Sequence, residues 1–129
     1  MEKRHGLLKV WDGLDVPVEF VVNEREKCIA AVARDCSGLA YAAIDSDKYF
    51  RSVSCIEIQE GSKLDKDLWL KDTYSAVARC VEPDVFDVDK GIEIASEKLF
   101  VKLSNAILNR KILLAKEFLR IADRLVGKV

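Results

Sequence analysis

The sequence is poor in residues that interrupt secondary structure and in the residue that most often transfers protons. Its 129 residues include two prolines, six glycines and one histidine, His5. It contains no glycine-rich phosphate loop, no HExxH pair, and no serine or cysteine with a histidine placed by a recognisable motif. We therefore predict no catalytic residues and no cofactor.

Paired cysteines and long apolar runs are also missing. The four cysteines contain no C-x-x-C pair, which favours buried free thiols over a disulfide or a zinc site. No apolar run approaches the ~18–20 residues of a membrane span, and the N-terminus lacks the apolar segment and cleavage site of a signal peptide. We expect a cytosolic protein with no metal site and no membrane contact.

What the chain does contain is half hydrophobic residues and a nearly balanced charge, as in one globular domain over residues 1–129. The charge is unevenly distributed, because the segment from Val88 onward has nine Lys and Arg against five Asp and Glu, although the whole chain has a net charge of −1. A basic end on an acidic body can attract phosphates, complement an acidic protomer, or simply be solvated.

The first part of the chain has the pattern of an antiparallel sheet. Composition or alternation predicts strands over 16–23, 27–34, 49–59 and 73–81. A polar turn at 23–26 makes the first two a hairpin, although the alanines of the second also suit a helix. A short helix is predicted over 39–44, and the start of the chain has no clear pattern. Pro17 fits only at a strand start or on an edge.

A long connection over 60–72 separates the last two predicted strands. Long loops that carry large apolar residues are often lids or contact surfaces. We therefore expect this segment to pack over a pocket, on a neighbouring chain, or on the chain's own sheet, through Leu68, Trp69 and Leu70.

The longest element is a C-terminal helix over about 87–126, for which Asp87 is the favoured N-cap. A helix of this length measures ~55 Å, whereas a compact chain of this size is roughly 35–40 Å across. Apolar residues cover more than one face, so that a second protomer in a two-fold dimer is expected to cover the outer one. Ser104, Asn105 and Asn109 allow a kink or a tight helical hairpin within 104–110, but no glycine or proline enforces either, and we favour continuity.

These elements predict an α+β fold. A small antiparallel sheet of about four strands with a short helix occupies about residues 16–82, and the long helix follows over about 87–126.

Basic residues recur at helical spacing along the predicted helix and suit phosphate binding. Lys98 and Lys102 are four residues apart, as are Lys116 and Arg120, and Arg110 lies between the two pairs beside Asn109. Phe86 precedes the helix and can stack on a base, while the helix N-terminus can receive an anion. The alternatives are solvated charges and an aromatic residue that only anchors the helix entry.

A motif around the helix start resembles a known family. Its residues are Ala78, Arg79, Cys80, Pro83, Asp84, Phe86, Asp87, Gly91, Ile94, Ala95 and Lys98. Followed by a long helix, this motif resembles that of small phage and prophage proteins, the Thoeris anti-defence sponges of the first type.

The resemblance implies a non-enzymatic sponge in the cytosol of an infected bacterium. Such a protein binds a cyclic ADP-ribose-type or cyclic nucleotide immune signal at protomer interfaces and withholds it from the host effector. It implies a homo-oligomer, an adenine stacked on Phe86, and basic residues on the phosphates. The expected ligand-binding residues are Arg79, Phe86, Lys98, Lys102, Asn109, Arg110, Lys116 and Arg120. The alternative is an interaction protein that docks on a protein partner through 60–72 and the helix. Nucleic-acid binding is disfavoured by the small net charge.

Overall fold

The computed structural model describes residues 1–11, 13–46, 60–81 and 84–127. These residues form an α+β fold, as the sequence predicts. In chain order the elements are β1 (Glu2–Trp11), β2 (Leu14–Asn23), β3 (Cys28–Ala33), α1 (Leu39–Ser46), α2 (Lys63–Leu68), β4 (Tyr74–Arg79) and α3 (Val88–Val126). The described sheet is antiparallel with strand order β1-β2-β3-β4, so β1 and β4 lie at its edges.

Strand β1 is an element that the sequence pattern did not indicate, and the sheet therefore begins at Glu2 rather than near residue 16. Most of its side chains are exposed, so it lacks the apolar alternation of a half-buried strand. It pairs along its length with β2, and Gly13 supplies the positive φ of the intervening turn. The predicted strand over 49–59 lies outside the described residues.

The hairpin of β2 and β3 is confirmed, as is the short helix α1. Pro17 lies on β2 beyond Glu19, where the pairing of β2 with β3 ends. On its β3 side, strand β2 therefore has no described neighbour at Pro17, as expected for a residue without an N–H donor.

The connection over 60–72 is not simply a loop, because it contains helix α2. Ser62 caps this helix by accepting a hydrogen bond from the Asp65 N–H at 3.2 Å. Leu68 and Leu70 are buried in the chain's own cores, and Trp69 packs against Tyr41 with ring centroids 5.1 Å apart. Of the alternatives for this segment, packing within the chain is the one observed for both leucines.

Helix α3 is continuous over 39 residues, as favoured from the sequence, and it does not turn back as a helical hairpin within 104–110. The Ser104 hydroxyl donates a hydrogen bond to the Phe100 carbonyl at 2.6 Å, so this polar side chain has a partner within the helix itself. The surface of α3 that faces the sheet and short helices is called here the inner face. Its buried apolar residues are Ala95, Leu99, Leu103, Ala106, Ile107 and Leu114. All but Leu114 pack with the alternate buried residues of the strands, so that one side of the sheet and one side of the helix form the main core. Leu114 packs with Ile44 of α1 and Leu68 of α2 in a second, smaller cluster.

None of the helices in the described parts of the chain is long and apolar enough to cross a membrane.

Candidate ligand-binding site

A cleft of about 460 Å³ lies where β4 ends and α3 begins. We call it the N-terminal cleft. It is lined by Ala78, Arg79, Cys80, Val81, Asp84, Val85, Phe86, Asp87, Lys90, Gly91 and Ile94. The structure thus brings Phe86 and Arg79, two of the predicted binding residues, into one concave site. It also adds Lys90 and two exposed apolar residues that the sequence did not single out, Val81 and Val85, beside Ile94 of the motif.

Close packing of the helix on the sheet forms the wall of this cleft. Phe86 is partly buried against the main core, which fixes its ring while leaving part of it accessible. At Gly91, an added Cβ would lie 2.5 Å from Cδ1 of Ile29 on β3. Only glycine therefore allows the first turns of α3 to approach the sheet this closely without movement of Ile29.

The first turn of α3 already has a carboxylate at its exposed amide groups. Asp87 is the N-cap, as predicted, and its Oδ1 accepts from the N–H groups of Asp89 at 3.0 Å and Lys90 at 3.3 Å. The positive end of the helix dipole is thereby offset within the chain. An anionic ligand in the cleft consequently meets side-chain cations rather than free amide groups at this position.

Two cations provide that charge. Arg79 is the last residue of β4, and Lys90 lies in the first turn of α3, with both side chains exposed. Within the described parts of the chain, neither forms an ion pair. An arginine beside an accessible aromatic ring is a combination that suits a phosphate next to a planar base.

A second, more open groove of about 580 Å³ continues along the same side of α3. We call it the central groove. It is lined by Ala76, Val77, Glu97, Lys98, Val101 and Lys102. It therefore contains two more of the predicted binding residues, Lys98 and Lys102.

Both lysines of the central groove have a structural partner. Nζ of Lys98 donates to the Val77 carbonyl at 3.1 Å, and Nζ of Lys102 donates to the Ser75 carbonyl at 2.7 Å. These carbonyls belong to edge strand β4, and charged groups at an edge discourage pairing with another strand. Each ammonium has three donors, so these bonds hold the lysines in place and leave donors for an anion.

The remaining predicted residues lie farther along α3 and do not join either site within one chain. Asn109 and Lys116 are exposed, and Arg120 is bound to the carboxylate of Glu117, which lowers the pKa of Glu117. Arg110 is half-buried, and its Nε has no hydrogen-bond partner in the described structure. Lys116 is 18 residues from Lys98, or ~27 Å along a helix.

The cysteines give no indication of a metal site. Cys28, Cys36 and Cys80 are free, Cys55 lies outside the described residues, and no cluster of three possible metal ligands occurs in the described ranges. Burial raises the pKa of the Cys36 thiol. Its Sγ donates weakly to the Ala33 carbonyl, so this residue is a packed core group, as expected for a small hydrophobic side chain.

The face of α3 opposite the core carries a row of exposed apolar residues. We call this row the outer stripe. Its members are Ile94, Val101, Leu108, Ile112, Leu119 and Val126, which are 37–73% exposed. Ile94 also lines the N-terminal cleft and Val101 the central groove. The outer stripe therefore borders both candidate sites.

The chain matches no protein family model, and neither the curated proteins nor the solved structures include a match. The family resemblance of the motif therefore remains an expectation from the residues themselves.

Proposed function

We propose that this protein is a non-enzymatic sponge that binds a small cyclic nucleotide signal, of the cyclic ADP-ribose or cyclic oligonucleotide class, and withholds it from an effector. The observation that carries the proposal is the N-terminal cleft, in which a partly buried aromatic ring lies with two exposed cations. Eight residues of the motif that resembles the Thoeris anti-defence sponges line this cleft, namely Ala78, Arg79, Cys80, Asp84, Phe86, Asp87, Gly91 and Ile94.

The size and chemistry of the cleft support this proposal. Its volume of about 460 Å³ lies in the range of small-molecule sites. Phe86 supplies a surface for a base, and stacking of one base is worth roughly 1–3 kcal/mol. Arg79 and Lys90 supply donors for phosphate oxygens, and self-association through α3 brings two such clefts into one particle.

Retention of nucleotide by the purified protein tests the proposal. The protein is incubated with cyclic ADP-ribose isomers and cyclic oligonucleotides, freed of unbound ligand, and heated, and the released material is identified by chromatography. We expect one nucleotide class to be returned chemically intact. Retention of none of them, or release of a cleaved product, contradicts the proposal.

Variants locate the binding. Phe86→Ala is expected to weaken binding about tenfold or more through lost stacking. Phe100→Ala, at an exposed aromatic outside the cleft, is the matched control and is expected to bind normally. Because Phe86 also packs on the core, Arg79→Ala provides an independent variant at an exposed position, with a loss of about tenfold from one charge-assisted contact.

An interaction protein is the second candidate, and the outer stripe favours it. The segment 60–72 contributes little to such a surface, since Leu68 and Leu70 are buried, and α3 would be the docking element. A pull-down that gives one stoichiometric protein partner, from a chain that retains no nucleotide, would favour this candidate.

A further inference from the structure

The outer stripe has a symmetry that identifies what covers it. Its residues follow one another at intervals of seven, seven, four, seven and seven along α3. The row is therefore the same when read from either end, with residue 110 at its centre. Ile94 and Val126 are equally distant from this centre, as are Val101 and Leu119, and Leu108 and Ile112.

Such a row is self-complementary for two antiparallel helices. Intervals of seven joined by one interval of four place these residues at core positions of a coiled coil. The other core positions of the same pattern hold Lys98, Asn105, Ala115 and Ala122. When a second α3 runs in the opposite direction about residue 110, each apolar residue of the first half meets one of the second half. Leu108 then packs on the partner's Ile112, and Val101 on the partner's Leu119.

A parallel pair does not use the row in this way. In register, it places Lys98 against the partner's Lys98 and Asn105 against the partner's Asn105 inside the seam. In the antiparallel pair these two residues face the partner's Ala122 and the partner's Ala115 instead. The parallel pair also aligns the two helix dipoles unfavourably, whereas antiparallel helices oppose them. The row covers ~48 Å of helix. It exposes roughly 500 Å² of apolar surface per chain, more than half of the ~800 Å² per partner of a standard interface, and the flanking lysine stems add to this area.

We propose that two copies of this chain pair antiparallel along the outer stripe, and that the pairing completes a phosphate-binding site of which one chain holds only half. Lys116 and Arg120 stand 18 residues, five helical turns, beyond Lys98 and Lys102 and so project from the same side of α3. In a two-fold antiparallel pair, this side of one helix meets the same side of the other. The partner's Lys116 and Arg120 therefore lie at the level of Lys102, over the central groove.

The charges of this composite site favour an anion. Lys98 and Lys102 are held over the groove by their bonds to β4 carbonyls. They meet two further cations, of which the partner's Arg120 is bound to Glu117 of its own chain, and Glu97 lines the groove. Four cations gathered at one groove repel each other unless an anion lies between them. A diphosphate supplies oxygens for several of these donors at once. This ligand class rests on the proposed function, whereas the antiparallel pairing does not.

Cysteine cross-linking tests the pairing without any ligand. Val101→Cys and Leu119→Cys proteins are oxidised separately and as a mixture after exchange of chains, with the unmodified chain treated identically to correct for native thiols. We expect two-chain species in the mixture that join position 101 to position 119, identified by peptide mass. Each variant alone is expected to remain uncrosslinked at the new site, because its two copies would be ~27 Å apart, far beyond disulfide reach.

Other outcomes overturn the pairing. Efficient cross-linking of Val101→Cys with itself shows parallel helices, and no cross-link in any sample shows that the stripe does not pair in this register. Ile94→Cys with Val126→Cys is a second, independent pair with the same expectation. Both pairs are at exposed positions, so folding of a single chain is preserved.

Titration with inorganic pyrophosphate tests the composite site. Lys116→Ala is expected to weaken binding at least about tenfold while the cross-link between 101 and 119 is retained. Lys63→Ala, at an exposed lysine of α2, is the matched control. Unchanged binding in Lys116→Ala overturns the composite site but leaves the nucleotide proposal for the N-terminal cleft intact. If Arg79→Ala loses pyrophosphate binding and Lys116→Ala does not, the composite site is likewise overturned and the N-terminal cleft is the binding site.

Discussion

The inner face and the outer stripe of α3 consist of the same residue types in the same helix but have different surroundings. Leu99, Leu103 and Ile107 are completely buried against the sheet, whereas Leu108 and Ile112 are each 43% exposed. The free energy gained from apolar residues follows the area removed from water. The inner face therefore stabilises the fold of one chain, and the outer stripe stabilises an assembly only when a second surface covers it.

The largest expected effect separates these two faces directly. Leu103→Ala is expected to lower the free energy of unfolding by about 2–5 kcal/mol, because it leaves a cavity in the core. Leu108→Ala is expected to lower it by less than about 1 kcal/mol, as at partly exposed positions. Both are measured by urea unfolding in an Ile112→Asp background, in which a charge on the outer stripe is expected to keep the chain single. Equal losses would contradict the division into an inner and an outer face.

A smaller effect tests how closely the inner face approaches the sheet. Gly91→Ala places a methyl group against Ile29 and is expected to destabilise the fold by about 1–3 kcal/mol. Ile29→Val removes the Cδ1 atom nearest to that methyl group. The double variant should therefore recover part of the loss in a double-mutant cycle, while strict additivity of the two changes would show that they do not touch.

The smallest effect concerns the support beneath Leu114, the last buried residue of the inner face. Tyr41 packs on the cluster of Leu114 and donates a hydrogen bond to the carboxylate of Asp65. This bond lowers the pKa of Asp65 below its ordinary value of 3.8, and a hydrogen bond from the Gly61 N–H is the second cause of the decrease. A carboxylate with a depressed pKa stabilises the fold above its ordinary pKa and loses this contribution as pH falls through the folded value.

We therefore expect the difference in unfolding free energy between the natural chain and Asp65→Asn to be constant near neutrality. It should shrink as the pH falls below about 4. A difference that grows on acidification would show that the carboxylate form of Asp65 is not the one that stabilises this cluster. Thermal unfolding followed by circular dichroism across pH 3–7 measures it.

The sequence was sufficient to predict the α+β class, the hairpin, the Asp87 cap and the continuous helix, because each depends on local composition. It did not indicate β1, whose side chains are mostly exposed and whose existence depends on pairing with β2. Helix α2 was missed because six mostly polar residues have little helical pattern without the Ser62 cap.

The candidate site was predictable in part for the same physical reason. Phe86 and Arg79, two of the predicted binding residues, line one cleft because they lie close in sequence to the strand end and the helix start. The hydrogen bonds of Lys98 and Lys102 to β4 depend on how the helix crosses the sheet edge, which spacing alone does not reveal. Nor does the hydrophobic pattern distinguish the inner face from the outer stripe, since both have helical period.

The mass of the protein in solution tests most directly whether the outer stripe is covered by a second chain. Light scattering at micromolar concentration should give twice the single-chain mass of 14.5 kDa for the natural chain and the single-chain mass for Ile112→Asp. A natural chain that has the single-chain mass under these conditions would contradict the account, and so would an Ile112→Asp variant that remains paired.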